Sequence, residues 1–285
     1  MTRRLQSIAF AAALGFAASV NAAPPPEGAS YVAMGSSYAA GPGIAEMAPD
    51  SPGRCGQSTL NYARQVARAF KLKLVDRSCS GATTADILGS GPTHHPPQLA
   101  GLTPDTRLVT VTVGGNDVRY MADFSVAVCA QDPESIPETM RAQACARPAA
   151  FSVEQAFAAV DANLRAIASE VRRRSPQARL VFVDYVTVLP PRGTCAAVAI
   201  AAHSADELRA RAKRLADLSA RVARENSADL VKASDLTRGH DACATDPWTA
   251  GLVRQPFSAW GAASFHPSLP AMNTIAKALI ALLQK

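Results

Sequence analysis

Four residues spread along the chain carry the groups that acyl transfer requires: Ser37, Gly81, Asn116 and His266. That chemistry needs a hydroxyl nucleophile, a base to take its proton, and hydrogen-bond donors aimed at the oxyanion that develops. Ser37 lies in Tyr31-Val-Ala-Met-Gly-Ser-Ser-Tyr38, where a short apolar run breaks into Gly35-Ser36-Ser37. A buried strand ending this way delivers a serine hydroxyl onto a tight turn at the edge of a sheet. Gly-Ser-Ser also suits an ordinary turn, so the serine gains meaning only from its partners. His266, in Phe265-His266-Pro267, is the candidate base. The backbone N–H groups of Ser37 and Gly81 and the side-chain amide of Asn116 are the candidate oxyanion donors. Glycine at position 81 permits close approach of backbone to a substrate. Asparagine supplies an NH₂ donor that aspartate lacks.

The elements that must position these groups alternate in type. Apolar runs predict strands over 30–34, 72–76, 107–113, 178–189 and 229–233, and helices over 57–70, 151–174 and 205–226. A last helix is expected to start at Pro267 and run to about 283, with proline in its favoured first turn. The 107–113 run is rich in β-branched residues and reads as a central strand. Over 151–174, Phe157, Val160, Leu164, Ile167 and Val171 recur three and four apart, the spacing of an amphipathic helix. Such alternation implies a parallel sheet covered by helices on both faces, with ligands at the carboxyl ends of the strands. Ser37, Gly81 and Asn116 follow the first three strands, and His266 precedes the last helix.

Residues 1–22 read as a secretory signal: Arg3-Arg4, an apolar run over 8–20, then Val20-Asn21-Ala22 as a small-residue cleavage site. The apolar run is short for a membrane anchor. Cleavage after Ala22 leaves 285 − 22 = 263 residues, a single domain over 23–285 that is secreted or periplasmic. Loss of the two arginines lowers the formal charge from +6 to +4. The remaining arginines sit on helix-like stretches without interleaved aromatics, which argues against nucleic acid. Nothing after Ala22 is apolar enough for stable membrane insertion. Cys55, Cys79, Cys129, Cys145, Cys195 and Cys243 make an even set in an exported chain and favour three disulfides, although fifteen pairings are possible. Sequential pairing is expected, each bridge contributing about 3–4 kcal/mol in the chain-entropy model. No Cys-x-x-Cys pair supports a zinc site, and no metal or cofactor is expected.

With Ser37, Gly81, Asn116 and His266 in this order, the chain resembles the SGNH (GDSL-type) hydrolases from Tyr31 to about Leu283. Gly114-Gly115-Asn116-Asp117 and Phe265-His266-Pro267 are the most specific blocks. The resemblance implies a flavodoxin-like α/β/α sandwich and metal-free hydrolysis of carboxylic esters. The six cysteines also resemble those of the family's exported three-disulfide esterases and lipases. The expected partner is a small-molecule or lipid ester, and the chain is expected to be a monomer.

Two departures stand out. Ser36 occupies the position of the family's Gly-Asp-Ser aspartate, which bears on loop hydrogen bonding more than on chemistry. Ala263, three residues before His266, stands where the family often has the acid of a triad. The Ala263 carbonyl is the leading candidate to hold the imidazole in a Ser37–His266 dyad, with Asp241 and Asp246 as alternatives. The missing acid also leaves open a catalytically impaired lipid- or carbohydrate-binding protein on the same fold. His240 belongs either near the site or with the Cys243 loop, and His94-His95 and His203 read as loop or helix-start residues. Leu88, Tyr120, Met121, Phe124, Trp248 and Trp260 suit either an acyl pocket or ordinary packing.

Overall fold

The computed structural model describes residues 24–136, 138–146, 150–254 and 263–285, so the 1–22 segment and Trp260 lie outside the described residues. Strands β1 (Ser30–Gly35), β2 (Lys73–Asp76), β3 (Thr106–Thr112), β4 (Arg179–Val183) and β5 (Asp229–Val231) form one parallel sheet. Their order is β2-β1-β3-β4-β5, the flavodoxin-like arrangement. The chain reverses its direction of strand addition between β1 and β3, and that crevice is the favoured ligand site of such sheets. β3 is buried along nearly its whole length, as a central parallel strand covered on both faces must be. β2 lies at an edge and alternates exposed with half-buried residues.

The helices are α1 (Ser37–Ala40), α2 (Tyr62–Phe70), α3 (Thr84–Leu88), α4 (Tyr120–Gln131), α5 (Glu138–Ala144), α6 (Val153–Arg174), α7 (Ala202–Glu225), α8 (Ala233–Leu236) and α9 (Leu269–Leu283). α2 packs on α9, and α6 packs on α7 and α3. In α6 the expected stripe of Phe157, Val160, Leu164, Ile167 and Val171 is buried. Ser152 caps that helix by accepting from the Gln155 N–H, and Asn61 caps α2 through Arg64 N–H at 2.9 Å. Buried hydroxyls find partners across the sheet: Tyr31 with Thr110 at 2.8 Å and Tyr62 with Thr112 at 2.9 Å.

Three expectations are corrected. The helix over 57–70 begins at Tyr62, where Asn61 caps it. The strand over 178–189 ends at Val183, because β5 offers only three residues to pair with it. The chain stays buried beyond that point, and Asp184 turns aside to accept from Ser234 N–H and Oγ–H at the start of α8. The last helix begins at Leu269 rather than Pro267; Pro270 takes the first-turn position, while Pro267 bridges Thr249 in an antiparallel contact. Helix α4 (Tyr120–Gln131) is an element that the sequence pattern does not predict. Tyr120, Phe124, Ala127 and Val128 share its buried face, but apolar Met121, Ala122, Val126, Cys129 and Ala130 fill much of the remainder, so no polar face marks the helical period.

Candidate active site

Ser37 opens α1 immediately after β1, so the turn places its hydroxyl at the carboxyl edge of the sheet. The side chain is 6 % exposed, enough for its oxygen to reach a cavity of about 390 Å³. Gly81, Asn116, Ala263 and His266 line the same cavity. His266 Nε2 lies 2.8 Å from Ser37 Oγ. Its other nitrogen, Nδ1, lies 2.7 Å from the carbonyl oxygen of Ser264. A carbonyl only accepts, so Nδ1 carries a proton and donates it, leaving the Nε2 lone pair to face the serine hydroxyl. Burial lowers the pKa of His266 below its ordinary value, against the Ser264 hydrogen bond, which raises it.

The carbonyl that meets the His266 ring is therefore that of Ser264. The Ala263 carbonyl accepts instead from the backbone N–H of His266 at 3.2 Å and closes the turn. Phe265 is in the left-handed region at φ +62°, and this twist swings the Ser264 carbonyl toward the ring. Tyr38 O–H donates to the Phe265 carbonyl at 2.5 Å, and its ring lies 5.0 Å from the imidazole. Phe265 stacks on Phe124 of α4, with centroids 4.5 Å apart. Asp241 and Asp246 do not contact His266. Asp241 accepts from Cys243 N–H, and Asp246 accepts from Trp248 Nε1–H.

The donor side is held as closely. Gly81 has φ +84°, a conformation that costs glycine little and an L side chain more. Among the described residues, neither the Ser37 nor the Gly81 backbone N–H has an acceptor. Asn116 donates one amide hydrogen to the Ala82 carbonyl at 2.8 Å, which fixes the side chain and leaves its second hydrogen free. Asp117 accepts from Thr84 N–H and Oγ–H, tying the Asn116 loop to the Gly81 loop. The Tyr185 hydroxyl oxygen accepts from Gly115 N–H at 2.9 Å and lies 3.0 Å from Ser36 Oγ. A Cβ on Gly115 would fall 2.7 Å from the Tyr185 ring, so only glycine admits this clamp. Ser36 thus joins the serine turn to the Asn116 turn through a tyrosine.

Disulfides join Cys55 to Cys79, Cys129 to Cys145 and Cys195 to Cys243. Each braces one wall of the site. The first precedes the Gly81 turn. The second ties α4, which supports Phe265, to the residue following α5. The third anchors the loop in which the Ala197 carbonyl accepts from Leu252 N–H at 2.7 Å. That segment in turn holds the histidine, since Ala250 N–H donates to the His266 carbonyl at 2.9 Å.

Of the residues offered for an acyl pocket, Met121 lines the cavity. Tyr120 and Phe124 are core, and Leu88 and Trp248 are half-buried against it. His240 stacks on Trp248 with ring centroids 3.6 Å apart, and His95 packs beside the Cys55–Cys79 bridge. The sequence reading missed Ser264, Tyr38, Tyr185 and the Gly41–Met47 wall of the cavity.

The sequence matches the GDSL-like Lipase/Acylhydrolase family over residues 33–271. The chain belongs to that family. Lipase 2 of Streptomyces coelicolor is 32 % identical over 220 residues, covering 75 % of this chain and 72 % of its own. Among solved structures, an extracellular lipase from Streptomyces rimosus superposes with a TM-score of 0.67 at 25 % identity, over 90 % of this chain and 98 % of its own. Phospholipase A1 from Streptomyces albidoflavus NA297 shares the fold, with a TM-score of 0.69 at 23 % identity and the same two coverages. Both solved structures share the fold over 90 % of this chain.

Proposed function

We propose that this GDSL-like chain is an exported serine hydrolase that cleaves carboxylic esters, lipid esters among them, through an acyl-enzyme. The observation that carries the reading is the chain of contacts from Ser37 Oγ to His266 Nε2 and from Nδ1 to the Ser264 carbonyl. In the first step Ser37 Oγ bonds to the acyl carbon while its proton passes to Nε2. The tetrahedral oxyanion is met by the N–H groups of Ser37 and Gly81 and the free amide hydrogen of Asn116. The carbon–oxygen bond to the leaving alcohol then breaks, and Nε2 returns the proton to that alcohol. Water repeats the sequence on the acyl-enzyme, giving the free acid and restoring Ser37. The Ser264 carbonyl holds the productive tautomer in place of a carboxylate, so the pair works as a dyad with a positioning backbone group.

Export is supported by the 1–22 segment and by three disulfides, which persist in oxidising compartments. The name of the S. rimosus relative, an extracellular lipase, agrees with it. Among the described residues no helix is long and apolar enough to cross a membrane.

A series of p-nitrophenyl esters of increasing acyl length, with Ser37→Ala as blank, tests the reading. Turnover above the blank for at least one chain length supports it, and turnover equal to the blank throughout contradicts it. Asn116→Ala is expected to lower kcat by about 10²–10³-fold, the usual cost of one oxyanion donor. Its unfolding midpoint should stay near that of the wild type, because the side chain is only half-buried. Unchanged kcat would remove Asn116 from the oxyanion site.

A further inference from the structure

The cavity that contains Ser37 and His266 also contains a guanidinium with no partner among the described residues. Arg54 lies in the 3-10 turn Gly53–Cys55 and lines this cavity. A methyl group built on Gly81 would sit 3.9 Å from Arg54 Nη2, so the charge stands beside one of the proposed oxyanion donors. Among the described residues Arg54 makes no ion pair and no side-chain hydrogen bond, whereas most arginines of this chain do. Residues 255–262 contain no acidic side chain that could supply one. The backbone beneath it is fixed. Cys55 is bonded to Cys79, and the Cys55 carbonyl accepts from both Ser80 N–H at 3.1 Å and Ser80 Oγ–H at 2.8 Å. The Arg54 backbone is thereby tied to the turn that carries Gly81, while its side chain is exposed.

We propose that Arg54 is a specificity-determining residue that binds the phosphodiester of a glycerophospholipid whose acyl ester lies at Ser37. The inference rests on the ester-hydrolase reading above and adds to it the charge of the preferred substrate. A planar guanidinium presents paired donors that match two phosphate oxygens, and a neutral ester offers no such acceptor. The cavity that receives this charge is also lined by the apolar residues Ile44, Met47 and Met121, which suit the acyl part of a lipid. Glu46 also lines the cavity and likewise has no cationic partner among the described residues.

The test compares kcat/KM for dihexanoyl phosphatidylcholine and dihexanoylglycerol, both below their critical micelle concentrations, in wild type, Arg54→Gln and Arg54→Lys. Matching the acyl chains cancels the acyl pocket. In Arg54→Gln the phospholipid-to-diacylglycerol ratio is expected to fall by about tenfold or more, chiefly through KM. Arg54→Lys should recover part of the ratio, because it keeps the charge and loses the fork. A ratio within about twofold of wild type, or an equal loss on both lipids, overturns the inference. Wild-type protein that cleaves the diacylglycerol and not the phospholipid overturns it while leaving the hydrolase reading intact. Failure on both lipids and on p-nitrophenyl esters overturns the hydrolase reading itself.

Discussion

Ser37→Ala is expected to lower kcat/KM on any accepted ester by about 10⁴-fold or more, with little change in KM and in the unfolding midpoint. The reason is the position of the hydroxyl. Its oxygen is 2.8 Å from His266 Nε2 and reaches the cavity, and among the described residues no other hydroxyl is within hydrogen-bond distance of His266. Ser36, its neighbour, is turned the other way toward Tyr185, so it cannot take over. Removing one oxygen from a side chain at a helix start leaves the turn intact, because Ser36 and not Ser37 is the N-cap. Steady-state kinetics against a p-nitrophenyl ester, with thermal unfolding as control, reads both halves of this expectation. A residual rate within tenfold of wild type would assign the attack to another group.

His266→Ala is expected to cost about as much as Ser37→Ala, and the double variant no more than either, because the two act as one unit. The wild-type pH profile carries the complementary signature. The base must be neutral to accept a proton, and burial disfavours its charged form. The acid limb of kcat/KM should therefore fall with an apparent pKa below the ordinary histidine value of about 6.5, and activity should persist through neutral pH. For stability the sign is the same. The unfolded chain takes up this proton near 6.5 while the folded chain resists it, so this group's contribution is present above that pH and is lost as pH falls through the folded pKa. An acid limb above 7, or a double variant much worse than both singles, would contradict the dyad.

The parts of this site that were legible in the sequence are those written by local pattern. The abrupt end of an apolar run at Gly35-Ser36-Ser37 marks a strand delivering a serine, and Gly114-Gly115-Asn116 does the same after β3. Alternation of strand and helix then puts these turns at one edge. What stayed hidden depends on geometry that no local pattern writes. Which carbonyl meets His266 is decided by Phe265 entering the left-handed region, and bulky residues seldom do so. Tyr185 reaches back 149 residues to Ser36, and Tyr38 forward 227 residues to Phe265. Helix α4 was missed because apolar side chains surround it, yet its Phe124 supports the histidine turn and its Met121 lines the cavity. The absent carboxylate at Ala263 looked like a defect in the sequence. In the fold a backbone carbonyl one residue later, that of Ser264, meets the His266 ring in its place.

The central claim is that Ser37 is a nucleophile activated by a carbonyl-oriented histidine, and a fluorophosphonate probe addresses it most directly. Attack by Ser37 Oγ on phosphorus, with fluoride leaving, would form a stable covalent ester. Mass mapping of the labelled wild-type protein should find a single adduct on the peptide containing Ser37, with no adduct in Ser37→Ala and a greatly slowed one in His266→Ala. An unlabelled wild type, or equal labelling of Ser37→Ala, would contradict the account.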